Sequence, residues 1–490
     1  MRTAIAPRLS LMMFLQFFIW GSWYVTAYIF LGKIGFGGGE IKWTYSVGPI
    51  AGIISPLLVG MIADRFFSTE RVLGLLHLLG AGAMLLAARL MHGTEPSALH
   101  INLLLFAHML CYFPTLALVN SLAMHTMTNS EKQFPLIRVF GTIGWIAAGL
   151  VVSWRGWDGA IDMFYLAAGA GLLMGLYCFT LPHTPPPSAG KEVSVRQLFG
   201  IDALVLLKQP SYFTFMLASF LICIPLSFYY QMAGKFVDHA GLANPAFKMS
   251  FGQMSEIFFM LVMPLFFARL GVKWMLAVGM LAWVVRYALF ALGASDGVTW
   301  MILGGILLHG ICYDFFFVTG QIYTDRIAPA AIRGQAQGML VLFTLGIGML
   351  IGAQVAGEVE KRYTPANNAE LAKQAEELGK QTNQKQAELD QIFGLADAPW
   401  YKRAWHNLAP PTLSGAEQAK AAALTQELAT LRMDRSRVLL QSVHWKPIWT
   451  IPAIGAGVVL VLFVLFFRDT TAVSVTEGDV TAAAAREELA

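Results

Sequence analysis

The sequence predicts an all-α integral membrane protein: twelve transmembrane helices, six on each side of a polar linker, with a helical hairpin standing outside the membrane between helices 11 and 12. Three observations carry this. The chain of 490 residues is 56% hydrophobic and only 13% charged, and its mean hydropathy of +0.58 lies far above that of soluble domains. Apolar runs of about 20 residues recur along it, each long enough to cross a bilayer. Two polar interruptions divide the runs.

The first run, Leu9 to Leu31, follows Arg2 and Arg8 and could pass for a secretory signal. It is too long, too aromatic (Phe17, Phe18, Trp20, Trp23) and lacks a small-x-small cleavage site, so it reads as an uncleaved first span. The remaining runs centre near Ile53, Gly80, Cys111, Ala148, Ala170, Leu221, Met260, Leu281, Cys312, Ile347 and Val459. The four cysteines, Cys111, Cys178, Cys223 and Cys312, all fall inside these runs and read as small packing residues, neither a disulfide framework nor a metal set.

After the sixth run, LPHTPPPSAGKEVSVRQLFG (Leu181–Gly200) ends one bundle and leads to the next. The expected division is an N-terminal bundle over 1–182, a linker over 183–208, a C-terminal bundle over 209–468 and a disordered tail over 469–490. Within the second bundle, residues 361–446 are rich in Ala, Glu, Gln, Lys and Leu. Two stretches with helical spacing flank WYKRAWHNLAPPTLS, which predicts a helical hairpin. It offers a surface for an extracytoplasmic partner, or is simply an inserted solvated hairpin, the reading preferred.

Arg65, Arg71, Lys132, Lys191, Arg196, Arg269, Lys273, Arg326, Arg333 and Arg468 fall in connections on one side, with Lys33, Lys42 and Arg155 as exceptions on the other. That bias makes the first side cytoplasmic, and an even span count puts both termini there. The net charge of +4 carries no nucleic-acid argument in such a chain. No phosphate-binding loop, H-E-x-x-H or G-x-S-x-G motif occurs, so an ATP-driven pump and the common hydrolases are disfavoured, and no cofactor or metal is expected. GFGGGE at Gly35–Glu40 lacks the strand and helix that a dinucleotide site needs.

Charged side chains within a span are costly and usually face a bundle interior or aqueous path. Arg138, Thr142 and Trp145 fall at i, i+4 and i+7, which places a cation, a hydroxyl and an aromatic plate along one helix face. Such a face could wall a ligand with a polar sugar and a flat base; Arg138 could equally snorkel from a helix end. Gln253 and Glu256 lie one turn apart in another span. A buried carboxylate takes up a proton or finds a cation, because desolvation disfavours its charged form. Asp314 supplies a second acid, between Tyr313 and Phe315, with Gln321 two turns on. Arg286 reads as structural or as the counter-ion of Asp314, and His108 as a hydrogen-bonding packing residue.

Between runs two and three, GMIADRFFSTER carries Gly60, Asp64 and Arg65. It resembles the G-x-x-x-D-R-x-G-R-R signature of the major facilitator superfamily, with Phe67, Ser68 and Thr69 departing from it, and ARLGVKW is a weaker echo after run eight. The resemblance implies the major facilitator fold, with inverted repeats and a gating role for those three residues. FLQFFIWGSWYVT, YFPTLALVNS, FPLIRVFGTIGW, QMSEIFF, AWVVRYALFALG and CYDFFFVTG are similar to the nucleoside:proton symporter family of bacterial permeases. This implies that Arg138, Thr142, Gln253, Glu256 and Asp314 contact substrate or carry the proton, with Trp145, Tyr313 and His309 at nearby family positions. Where that family places amides along span seven, this chain offers Ser227 and Tyr230 beside Gln231. The expected function is nucleoside import by proton symport across a bacterial inner membrane. A symporter of a sugar or other small polar metabolite, and a non-transporting sensor or scaffold, are the alternatives.

Overall fold

The computed structural model describes residues 5–65, 67–93, 96–126, 130–185, 201–329, 332–396, 398 and 413–468. Most of the expected linker, the hairpin's connecting segment and the tail lie outside them. The described residues fold into helices and turns, without strands.

The first apolar run, expected as one span, is two helices: α1 (Ile5–Gly21) and α2 (Ala27–Lys33), joined by a turn over 22–26. Ser22 Oγ donates back to Phe18 O at 2.7 Å, a bond that bends a helix. Gly21 lies so close to the next bundle helix that a Cβ there would sit 3.1 Å from the Trp145 backbone. The N-terminal bundle continues with α3 (Gly38–Arg65), α4 (Thr69–Met91), α5 (Ala98–Thr126), α6 (Ser130–Trp154) and α7 (Asp162–Cys178). These share one core, built around Met12, Trp23, Met109, Val119 and Phe164.

A 3-10 helix (Ile201–Lys208) leads to α8 (Pro210–His239) and α9 (Pro245–Gly293). The latter is too long for one span and breaks at Gly271, whose φ of 64° and ψ of −178° no helix tolerates. Next come α10 (Thr299–Leu307), α11 (His309–Cys312), a π-helical turn (Tyr313–Val318) and α12 (Thr319–Ile327). Then α13 (Arg333–Val341), a second π turn (Leu342–Gly348), α14 (Met349–Arg362) and, after the hairpin, α17 (Trp445–Phe466) complete a second core around Phe215, Trp283, Tyr287, Phe290 and Trp449.

Eight helices among the described residues are long and apolar enough to cross a membrane, and α1 and α7 are shorter apolar helices. Their outward faces are apolar too: Leu75, Leu79, Leu86 and Leu90 stand exposed on α4, and Val458, Val461 and Leu465 on α17. A soluble protein would not present such stripes; a lipid-facing surface does.

The hairpin consists of α15 (Asn368–Ile392) and α16 (Gly415–Gln441), packed antiparallel through Leu389 with Ala421, Leu424 and Leu428, and through Ala375 with Val438 and Leu439. Ser414 and Glu417 form a capping box that starts α16. At the base, Ser436 Oγ donates to His239 O at 2.7 Å, and His444 N to Tyr363 O at 2.9 Å, which brings the two ends of the insertion together.

The two halves meet tightly at the end of the bundle that carries the hairpin. There Lys42 on α3 pairs with Glu358 on α14, and Gln354 Nε2 donates to Ser46 Oγ at 2.8 Å. Ala246 of α9 and Ala353 of α14 pack into the N-terminal core. Glycines permit the approach: a Cβ at Gly234 of α8 would lie 2.4 Å from Val25 O, and one at Gly357 2.4 Å from Lys42 Cβ.

Candidate functional site

Three interruptions of helical geometry, the 22–26 turn and the two π turns, break helices of both halves. Broken helices and π turns expose backbone and re-aim side chains, and within a membrane such irregular backbone is tolerated only where it is covered by protein or lines a cavity. Residues beside the first two interruptions meet near the seam between the halves.

From the N-terminal half come α1 and α6. Trp20 stands edge-on to Trp145 at 5.5 Å between ring centroids, and is braced by Tyr24, Tyr112 and Phe113 at 5.4–5.9 Å. Arg138, two turns before Trp145 on the same face of α6, lays its guanidinium 4.1 Å over the Phe17 ring. This cation–π contact holds Arg138 against α1, which argues against a snorkelling arginine. Thr142, buried on the same face, donates its hydroxyl to Glu256 Oε1 at 3.4 Å.

Across the seam, α9 presents Gln253 and Glu256, both less than 10% exposed. The second Glu256 oxygen lies 3.9 Å from His309 Nε2. His309 stacks on Tyr229 at 5.5 Å and on Tyr313 at 6.1 Å. Tyr230 reaches back over the seam to Tyr24 at 5.8 Å. Asp314 sits on the π turn, fully buried, and neither carboxyl oxygen has a hydrogen-bond partner among the described residues; Gln253 Oε1 and Trp20 Nε1 are likewise unpartnered there.

The structure therefore brings Arg138, Thr142, Trp145, Tyr230, Gln253, Glu256, Tyr313 and Asp314 to the facing helices and turns of the two halves, with Thr142, Tyr230 and Glu256 meeting across the seam. It does not bring Ser227, whose hydroxyl donates to Met349 O at 3.0 Å where α8 packs on α14. Arg286 is not paired with Asp314: its Nε donates to Gly305 O at 3.0 Å and its guanidinium lies 4.2 Å over Tyr229. His108 bonds Gly80 O at 2.9 Å, as a packing residue would, and Gln321 is exposed. Gly60, Asp64 and Arg65 lie in the last turns of α3, and their side chains are outside the described residues. Sequence reasoning gave no role to Trp20 or Tyr24; their signal was the aromatic cluster around Gly21. Two cavities of about 780 and 830 Å³ lie beneath the hairpin; the second is lined by residues that include Lys33, Lys235, Glu360 and Arg435.

Two helical cores meeting over buried acids, hydroxyls and aromatic plates define a membrane transporter. A family model described as nucleoside H+ symporter matches residues 1–373. The chain belongs to that family. It is 42% identical over 359 residues to "Putative nucleoside transporter YegT" of Escherichia coli (strain K12), covering 71% of this chain and 83% of that protein. It is 32% identical over 376 residues to "Nucleoside permease NupG" of the same organism, covering 73% and 88%. The crystal structure of nucleoside transporter NupG superposes with a TM-score of 0.71 at 25% identity, over 94% of this chain and 99% of that one. These relatives are transporters and not enzymes, and they give no support to a sensor or scaffold.

Proposed function

We propose that this proton-coupled nucleoside transporter works by alternating access of two six-helix bundles, related as inverted repeats, around Glu256. The observation that carries the reading is the Glu256 carboxylate, buried in one half and hydrogen-bonded to Thr142 of the other. A group so placed senses both the proton and the separation of the halves. Residues 1–182 and 209–468 form the bundles, twelve spans in all, with 361–446 as the hairpin and both termini in the cytoplasm. The hairpin end then faces outward, and its tight seam corresponds to a carrier closed outside.

In this cycle an external proton loads Glu256 or Asp314. The nucleoside binds with its base against Trp20 and Trp145, where aromatic faces offer stacking of about 1–3 kcal/mol per base. Arg138, Thr142, Gln253 and Tyr313 meet its hydroxyls and carbonyls. The unpartnered oxygens of Asp314 and Gln253 are costly when buried alone, so a polar ligand that reaches them recovers that cost. The halves rock, and the proton leaves to the more alkaline cytoplasm. Gly60, Asp64 and Arg65 are assigned to the opposite, cytoplasmic gate.

The test is radiolabelled uridine uptake into proteoliposomes with and without an inward proton gradient. Gradient-driven accumulation that adenosine and guanosine compete for is expected. In Glu256→Gln, which keeps the shape and removes the titration, accumulation is lost while exchange of uridine across the membrane persists. Unaltered accumulation in that variant would remove Glu256 from proton coupling.

A further inference from the structure

The eighth span begins without a cap of its own. Its N-cap residue, Asn244, sits in the left-handed region at φ 57° and ψ 65°, and its side chain makes no capping bond. Pro245 follows at the first helical position, so the first free N–H groups of α9 are those of Ala246 and Phe247. Both are satisfied, but by the other half of the molecule: Ala246 N donates to Asp158 Oδ1 at 2.6 Å, and Phe247 N to Ser153 Oγ at 2.8 Å.

The donors' partner is built for this. Helix α6 closes with a Schellman arrangement, Trp157 N to Val152 O at 2.8 Å and Gly156 N to Ser153 O at 3.0 Å, around Gly156 at φ +69°. That turn throws Asp158 back onto Ser153, whose hydroxyl donates to Asp158 Oδ1 at 2.7 Å. Lys33 Nζ fixes the far side of the turn by donating to Gly159 O at 2.8 Å. One helical turn before Ser153, Gly149 packs so closely on α9 that a Cβ would lie 2.4 Å from Ser250 Oγ. A carboxylate at a helix N-terminus also meets the positive end of its dipole.

We infer that Asp158 and Ser153 are the latch of the hairpin-end gate: they cap α9 from the opposing half when that end is closed, and the cap is lost when the halves part there. The inference rests on the reading of two halves that separate in the transport cycle. It makes Asp158 a positioning residue, acting on the balance of the two states and not on the substrate.

Ala353, 1% exposed and packed in the N-terminal core from α14, reports the gate. The probe is an impermeant maleimide, applied to the hairpin side of Ala353→Cys in a chain whose four native cysteines are alanine. Loss of a helix cap corresponds to about a fivefold change in an equilibrium. Asp158→Ala is therefore expected to raise the labelling rate about fivefold, Ser153→Ala to raise it less, and Asp158→Asn, which keeps an oxygen acceptor, to stay near the parent. Labelling at the parental rate in Asp158→Ala and Ser153→Ala would overturn the latch, and so would a lowered melting temperature with no change in labelling. Ser153→Ala decides the matter if Asp158→Ala fails to fold. The readout needs no nucleoside, so unchanged labelling beside intact uridine uptake refutes the latch alone, whereas failed uptake beside enhanced labelling refutes only the transport reading.

Discussion

Gly234→Ala is a one-carbon test of the seam. The added Cβ would lie 2.4 Å from Val25 O and 3.5 Å from Val25 C. Carbon-to-carbonyl contacts settle near 3.3–3.6 Å, so α8 and the 22–26 turn must yield by about 1 Å. Neither can do so cheaply, because the atom in the way is backbone. Overpacking of this kind costs about 1–3 kcal/mol, and the cost falls only on the state in which the two halves touch at the hairpin end. The closed state should therefore lose about 5–150-fold in population relative to the open one. Alanine also improves helix propensity by about 1 kcal/mol. That gain is common to both states, so it raises the melting temperature without offsetting the shift. Maleimide labelling of the Ala353→Cys reporter should rise at least fivefold, and net uridine uptake should fall, since release to the other side requires closure. Parental labelling and parental uptake together would refute the argument that this contact holds the seam.

Two further outcomes follow from the geometry. Because His444 N already donates to Tyr363 O at 2.9 Å, replacing residues 364–443 by a short turn should leave uridine uptake intact, at the cost of the Ser436–His239 and Arg435–Asp238 contacts at the base and of the packing of Leu440 and Val443 on the C-terminal core; abolished uptake in a folded variant would make the hairpin part of the machinery. Burial pushes the Asp158 carboxyl above its ordinary range, more than its hydrogen bonds from Ala246 and Ser153 lower it, with Asp238 adding to the rise. When the seam parts and the group is solvated it returns toward about 3.9. The closed state thus binds more protons, so external acid favours closure as pH falls through the raised range of the closed-state carboxyl. Spin labels on the exposed Leu99 and Trp300 should lose their long-distance population there, less so in Asp158→Asn, where Lys33 and Asp238 remain as the control; an equal response in both would exclude Asp158.

The central acids were legible because a charge inside an apolar run is conspicuous: Glu256 and Asp314 stand out against their neighbours, and helical spacing put Arg138, Thr142 and Trp145 on one face. What spacing does not carry is which face meets which partner. Ser227 has the right composition for a site, yet α14 approaches so closely at Gly352 that a Cβ there would lie 2.4 Å from Ser227 Oγ, and the hydroxyl is absorbed in that contact. The first span looked continuous because Gly21, Ser22 and Thr26 are tolerated in helices; it breaks because bundle contacts outweigh local propensity. The latch was invisible for a different reason: Asp158 and Ser153 sit at a helix end, where a carboxylate and a hydroxyl are ordinary, and their partner is the backbone of a helix nearly 90 residues on.

Gln16 and Gln253 pose the same question in the sequence, a lone amide within an apolar run, and the structure answers it differently for each. Gln16 is saturated: its amide donates to Thr115 Oγ1 at 2.8 Å, its carbonyl oxygen meets His77 Nε2 at 2.9 Å, and its backbone carbonyl accepts from Tyr112 at 2.7 Å. Such a closed network binds α1, α4 and α5 into one rigid body and leaves nothing for a ligand. Gln253 Oε1, Asp314 and Trp20 Nε1 are unpartnered among the described residues; Asp314 and Trp20 sit on or beside interruptions of their helices, and Gln253 lies in regular helix one turn from Glu256. A buried polar group left unsatisfied costs about 1–3 kcal/mol, and several of them near the seam would not persist as packing. Between Gln16 and Gln253 that difference, more than position in the chain, separates the amide that braces the N-terminal half from the one whose carbonyl oxygen has no partner among the described residues.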